Sequence, residues 1–312
     1  MDPKPQFLMV GLPESGKSTF LAAMWEVVRS DKVPGAMKLG TLVGDYSYVN
    51  KLHELWLEGI PLKRTKVERE GLVAIPLRDD ALGDSTIVTP DLSGESFDVQ
   101  WEMRTISKKY YEYLLVVKGL LAFVHSEKFN TGPLIGRQTR ELEELIRADS
   151  EQPQETKPGN REESSSNGIK DHSPEPKPVP FDPEKVPTQT KVVDMLSQAL
   201  RVSSHGKGVT RVGLVVSAWD LVKQKFNTPD QWLRVNMPLL GQFLASNTKR
   251  FDYKLFGVSA QGTELNEKNR DEYLQNRRDL LKLHSASDRI IVTDGESVGH
   301  NITAPLQWLR QL

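Results

Sequence analysis

The amino-acid sequence predicts an α/β fold, with a mostly parallel central sheet and helices on both of its faces. Short apolar runs, which are typical of buried strands, alternate with segments whose apolar residues have helical spacing. The main runs lie at 6–10, 119–126, 209–220 and 253–260. A glycine-rich turn joins the first run to the first helical segment. This alternation favours parallel strands, because the helices that connect them cover both faces of the sheet.

The other elements are predicted from the same spacing and from turn residues. Before the middle of the chain, helices are expected at 17–31 and 47–59, strands at 66–77 and 85–92, and mixed turn and helix at 97–117. In the second half, helices are expected at 189–203, 228–246, 268–285 and 302–312, with an edge strand at 289–293. Pro238 should kink or divide the helix in which it lies, because proline cannot donate the backbone hydrogen bond.

Residues 149–187 differ sharply in composition from the rest of the chain. They are rich in Pro, Glu, Ser and Lys and contain almost no large apolar side chains. Such a segment cannot bury enough surface to offset the entropy lost on ordering. Since strands and helices resume beyond it, we predict a disordered insertion in a single domain formed by residues 1–148 and 188–312.

Charge and cysteine content exclude several classes of protein. The chain has 41 basic and 42 acidic side chains among 312 residues, which gives a net charge of -1. A charge this small does not indicate binding to a nucleic acid or an anionic membrane. It has no cysteine, which excludes disulfides and thiolate metal sites and fits a reducing cytoplasm. The longest apolar run is too short to span a bilayer. We therefore expect a cytoplasmic protein without a membrane span or a clear nucleic-acid site.

The stretch GLPESGKST at 11–19 matches the pattern G-x-x-x-x-G-K-[ST] of a phosphate-binding loop. A strand precedes it and a helix follows, so backbone N–H groups and the helix N-terminus can face phosphate oxygens. Lys17 would reach the β- and γ-phosphates, and the Ser18 hydroxyl would ligate Mg²⁺. The fold class is accordingly a P-loop NTPase. The predicted phosphate-binding residues are Gly11, Glu14, Ser15, Gly16, Lys17, Ser18 and Thr19.

A second carboxylate is expected at the end of another strand, where it would hold the hydration shell of the magnesium ion. Asp91 follows the apolar run 86–89, and Gly94 lies three residues later. The Gly94 N–H could then contact the γ-phosphate, and the loop could relax after hydrolysis. The alternative is an ordinary turn at the end of a strand.

These motifs together resemble the TRAFAC-type GTPases. The resemblance implies a threonine ahead of the second strand that closes over Mg²⁺, and Thr65 is better placed for it than Thr41. Catalysis would involve Lys17 and Thr65, with Glu95 orienting the attacking water and Arg64 acting as an internal arginine finger. The alternatives are a solvated loop residue for Glu95 and an exposed arginine for Arg64.

The same resemblance implies a nucleobase site at the ends of two later strands. In these GTPases the base is bound by N-K-x-D and S-A-x motifs, which correspond here to residues 217–220 and 259–261. The Asp220 carboxylate would accept hydrogen bonds from guanine N1–H and its exocyclic amine, a pair that adenine lacks. Ser259, Ala260 and Gln261 would form the second base contact, with the Ala260 N–H donating to guanine O6.

This chain departs from the family at Ala218, where a lysine usually lies over the base and steadies the phosphate loop. Its absence weakens the expectation of guanine affinity and leaves adenine open as the alternative base. Trp219 would either cover the base or pack in the core.

The stretch GLPESGKSTFLAAMW also resembles bacterial predicted GTPases called double-GTPase-like (DO-GTPase), which are thought to act in conflict systems such as phage defence. The resemblance implies a Mg²⁺-dependent GTP/GDP switch that acts through a protein effector or activator. The other readings are a nucleotide-binding scaffold without hydrolysis, and a P-loop ATPase or kinase whose lid would carry Arg137, Arg140 and Arg147.

Overall fold

The computed structural model describes residues 6–62, 73–89, 100–132, 182–206 and 208–311. Within them, nine strands form one sheet in the order β2-β3-β4-β1-β5-β6-β7-β8-β9. The strands are β1 (Gln6–Gly11), β2 (Lys38–Leu39), β3 (Val73–Asp79), β4 (Gly83–Thr89), β5 (Gly119–His125), β6 (Arg211–Ser217), β7 (Asp252–Ser259), β8 (Ile291–Thr293) and β9 (Val298–Gly299). The five central strands, from β4 through β1, β5 and β6 to β7, are parallel, and both margins are antiparallel.

Eight helices of seven or more described residues accompany these strands. They are α1 (Lys17–Ser30), α2 (Ser47–Leu57), α3 (Lys108–Val116), α4 (Thr188–Ser203), α5 (Pro229–Asn236), α6 (Pro238–Ser246), α7 (Arg270–Leu281) and α8 (Ala304–Arg310). The predicted helix at 228–246 is divided at Pro238, as expected. Thr228 starts its first half, with a side chain that accepts a hydrogen bond from the Gln231 N–H.

Side chains of each central strand alternate between two apolar cores, one on each face of the sheet. In β1, Phe7 and Met9 belong to the core that also contains residues of α1, α2 and α8, whereas Leu8 and Val10 belong to the core that contains residues of α3 to α6. The predicted α/β architecture, a P-loop NTPase with a mostly parallel sheet covered by helices on both faces, is confirmed. Its parallel strands end at one edge, where ligands bind in such sheets.

Two details differ from the sequence prediction. The strand predicted at 289–293 is not at the edge of the sheet, because β9 pairs with β8 beyond it. The predicted insertion at 149–187 overlaps the described residues only at 182–187. There Pro183–Lys185 form a 3₁₀ turn, and the Asn130 side chain donates to the Glu184 carbonyl at 2.8 Å. No helix in the described residues is long and apolar enough to cross a membrane.

Candidate functional site

The loop between β1 and α1 wraps around the ammonium group of Lys17. The Nζ atom donates to the carbonyl oxygens of Gly11 at 2.6 Å and Leu12 at 2.8 Å, and to Ser15 Oγ at 3.2 Å. The side chain is only 5% exposed, so the charge is held inside the loop rather than in water. Phosphate oxygens would compete with these loop oxygens for the same donors.

Gly16 is the N-cap of helix α1 and lies directly against the end of β6. Its φ of 92° is in the left-handed region that favours glycine. A Cβ atom at this position would lie 2.6 Å from the Oγ and 2.7 Å from the Cβ of Ser217. The absence of a side chain at Gly16 therefore lets the phosphate loop and the end of β6 approach closely.

The chain turns sharply after β6 and brings Asp220 to the same edge of the sheet. Ala218 adopts a left-handed conformation with φ of 51°, and its carbonyl accepts a 2.8 Å hydrogen bond from Ser126 Oγ. A 3₁₀ turn, Trp219–Leu221, then presents Asp220 half-buried. Among the described residues, no hydrogen bond or ion pair occupies its carboxylate.

Trp219 packs in the core, so the alternative in which it covers a base is wrong. Its side chain is 3% exposed and lies against the backbone of β7. A Cβ at Gly257 would be 2.5 Å from the indole Cδ2 atom, so glycine is required for this packing.

The end of β7 and the loop after it hold the other three residues predicted for base binding. Ser259 is fully buried, and its Oγ accepts a hydrogen bond from the Gly262 N–H at 3.0 Å, so this side chain supports the loop. The Ala260 carbonyl accepts a 3.0 Å hydrogen bond from the Trp56 indole of α2. Gln261 borders the cleft described next.

A cleft of about 670 Å³ joins these loops. Its walls include six of the predicted phosphate-loop residues, the turn after β6 and the loop after β7. The predicted residues that line it are Glu14, Ser15, Gly16, Lys17, Ser18, Thr19, Asp220, Ala260 and Gln261. Two buried polar atoms beside it, Ser217 Oγ and Gln261 Nε2, have no hydrogen-bond partner among the described residues. Both atoms are therefore available to form hydrogen bonds with a molecule bound in the cleft.

His125 also lines this cleft and was not predicted. It ends β5, and its Nδ1 accepts hydrogen bonds from the backbone N–H groups of Glu127 and Lys128, both at 3.1 Å. Burial, reinforced by the positive charge of Lys128, lowers the pKa of His125 to about 4. The imidazole is therefore neutral near pH 7, with its proton on Nε2 because Nδ1 acts as an acceptor.

Five predicted residues lie outside the described part of the chain. They are Arg64, Thr65, Asp91, Gly94 and Glu95. The arginines proposed for a kinase lid, Arg137, Arg140 and Arg147, also lie outside it. Before the first five of these residues, the described segments end at Leu62, which lines the cleft, and at Thr89, the last residue of β4.

A match to a protein-family model shows the family of this chain. The model of the family described as Double-GTPase 1 matches residues 8–309, which span all the loops of the cleft. The chain belongs to the Double-GTPase 1 family. The predicted relationship to double-GTPase-like proteins is thus confirmed. A search of curated proteins finds no match for this Double-GTPase 1 chain.

Solved structures similar to this member of the family come from GTPase-like proteins. A bacterial selenocysteine-specific elongation factor, EF-Sec, is 11% identical with a TM-score of 0.33; the match covers 87% of this chain and 29% of the factor. The Ski7 GTPase-like domain of S. cerevisiae, bound to GTP, is 11% identical with a TM-score of 0.36. That match covers 91% of this chain and 52% of the Ski7 chain. The chain therefore spans about half of the Ski7 chain and less than a third of the elongation factor.

Proposed function

We propose that this protein is a Mg²⁺-dependent GTPase switch that binds GTP and GDP in the cleft and acts through a protein partner. One observation carries the proposal: Lys17 at the phosphate loop and Asp220 at the turn after β6 line the same cleft. These are the cation and the carboxylate that a nucleotide's phosphates and a guanine base require. Membership of the Double-GTPase 1 family supports the same activity.

At the phosphate end, the Lys17 ammonium would exchange its hydrogen bonds with the loop oxygens for bonds with the β- and γ-phosphates. At the base end, Asp220 would accept from guanine N1–H and the exocyclic amine. Its carboxylate needs no rearrangement for this, because no described group already binds it.

The Ser18 hydroxyl fits the role of a magnesium ligand. It is half-buried at the N-terminus of α1, borders the cleft, and has no hydrogen-bond partner among the described residues. Thr65 and Asp91 are proposed to complete the protein's contribution. A bound magnesium ion would neutralise charge that develops on the phosphate oxygens. Glu95 is proposed to orient the attacking water, and Arg64 is proposed to act as the arginine finger.

The proposal treats residues 1–148 and 188–312 as a single cytoplasmic domain, interrupted by an insertion at 149–187. It is supported by the pairing of β5 with β6, which come from opposite sides of that segment. From the resemblance to conflict-system proteins, we propose bacterial anti-phage defence as the setting.

Phosphate release from GTP tests the hydrolytic part of this proposal. We expect release by the wild-type protein in the presence of Mg²⁺ and none above background in Lys17→Ala, with exposed Lys223→Ala as the control. Equal release by wild type and Lys17→Ala would contradict hydrolysis in this cleft. The second candidate, a nucleotide-binding scaffold without hydrolysis, would be supported if nucleotide binds without any phosphate release.

A further inference from the structure

Helix α2 reaches the base end of the cleft through Trp56, a residue that does not line it. This side chain is fully buried, and its indole Nε1 donates to the Ala260 carbonyl at 3.0 Å. A peptide unit is planar, so the bond fixes the direction of the Ala260 carbonyl and, with it, that of the Gln261 N–H. Trp56 therefore sets the orientation of a loop that carries two cleft residues.

Arg289 holds Trp56 in place from the other side. Its guanidinium carbon lies 4.2 Å from the centre of the Trp56 ring, and Nη1 donates to the Trp56 carbonyl at 2.7 Å. Nη2 also donates to the Leu57 carbonyl at 3.3 Å, so the cation lies at the C-terminus of α2, where the helix dipole favours it.

The backbone of Arg289 also contacts the base loop itself. A Cβ at Gly262, which has a φ of 89°, would lie 2.6 Å from the Arg289 carbonyl oxygen. Arg289 is 4% exposed and forms no salt bridge with a described carboxylate. Burying a cation in this way is costly, and the ring and carbonyls of α2 offset part of that cost. The loop at 260–262 is consequently held between Trp56 and Arg289.

We propose that Trp56 and Arg289 are positioning residues that determine discrimination between guanine and adenine, an inference that rests on the function proposed above. Guanine presents an acceptor at O6 where adenine presents an amino donor. A loop whose N–H donors are held in one direction satisfies the guanine oxygen and opposes the adenine amine. A loosened loop can turn its peptides and tolerate both bases, so losing the Trp56 or Arg289 contact lowers selectivity rather than phosphate binding.

The chain provides matched controls for both residues. Trp25 is buried in the same core and also donates from its indole nitrogen at 3.0 Å, but to the Asn50 side chain. Arg211 lies 5.2 Å from the Trp308 ring centre and donates to the Trp308 carbonyl at 2.6 Å, away from the cleft.

The test compares Trp56→Phe with Trp25→Phe, and Arg289→Lys with Arg211→Lys. Calorimetry would measure the affinities for GDP and ADP, two nucleotides that differ in the base and undergo no γ-phosphate hydrolysis. We expect the GDP-to-ADP affinity ratio to fall about fivefold in Trp56→Phe, which corresponds to one net hydrogen bond. Arg289→Lys keeps the charge but loses the planar guanidinium, so it should also lower the GDP-to-ADP affinity ratio. If Trp56→Phe does not fold, the ratio measured for Arg289→Lys tests the inference.

The controls should keep the wild-type ratio even where their melting temperatures fall. A wild-type ratio retained in both Trp56→Phe and Arg289→Lys would overturn the inference, as would an equal fall in all four variants. A wild-type protein without any preference for GDP would instead overturn the proposed guanine site.

Discussion

The Cα atom of Gly16 lies so close to Ser217 that a Cβ there would be 2.6 Å from the serine Oγ. This contact joins the phosphate loop to the strand that leads to Asp220. The phosphate loop is thus packed against the strand that leads to the other end of the candidate nucleotide site.

Replacing Gly16 with alanine should displace the phosphate loop from β6. We expect GDP affinity to fall by at least about tenfold, because strain at this backbone conformation costs on the order of 1–3 kcal/mol and the added methyl also collides with Ser217. Gly35→Ala is the control, since Gly35 also has a positive φ but no atom within 4 Å of an added Cβ. Calorimetric titration with GDP would measure both variants.

If the collision is the cause, the second substitution Ser217→Gly should restore part of the affinity in the Gly16→Ala protein. An unchanged GDP affinity in Gly16→Ala would show that this contact does not position the phosphate loop.

Asp220→Asn should change which base the protein prefers. An amide cannot accept both guanine donors, so GDP affinity should fall on the order of 100-fold, the equivalent of two charged hydrogen bonds. Xanthosine diphosphate, which has a carbonyl in place of the exocyclic amine, should bind the variant more tightly than it binds wild type. Asp271→Asn, on the exposed face of α7, is the control. GDP affinity that survives Asp220→Asn would show that another residue contacts the base.

His125 should make folding stability sensitive to acid. Its pKa is lowered to about 4 in the folded state from an ordinary value of 6.5, so the unfolded chain binds more protons between these values. The stabilisation is complete above about pH 6.5 and is lost as the pH falls towards 4. In His125→Asn, whose amide oxygen can still accept the backbone hydrogen bonds, the melting temperature should fall less steeply over this range.

Melting curves between pH 7.5 and 4.5 would measure this effect, with exposed His284→Asn as the control. A slope identical in wild type and His125→Asn would indicate that His125 is protonated equally in both states.

The phosphate loop could be predicted because its function depends on consecutive residues. Strand, glycine turn, Lys17 and helix all lie within 6–30, and local spacing determines them. Asp220 could be predicted for a similar reason, since it follows directly after an apolar strand that ends at the edge of the sheet.

The rest of the site depends on contacts between distant segments. The bond from Trp56 to Ala260 joins residues 204 positions apart, and no local pattern marks either partner. Trp219 packs inward because Gly257, on the next strand, leaves room for its ring. The depressed pKa of His125 likewise depends on burial that only the assembled sheet produces. One signal was available for His125: it ends an apolar strand at the ligand-binding edge.

Titration calorimetry of the wild-type protein with GDP and with ADP, each with and without Mg²⁺, tests the central claim most directly. We expect GDP to bind with micromolar or tighter affinity and ADP to bind more weakly. Lys17→Ala should lose about tenfold to 100-fold in GDP affinity, since it removes a charged hydrogen-bond donor. Tighter binding of ADP than GDP, or binding of neither, would contradict a guanine-nucleotide site in this cleft.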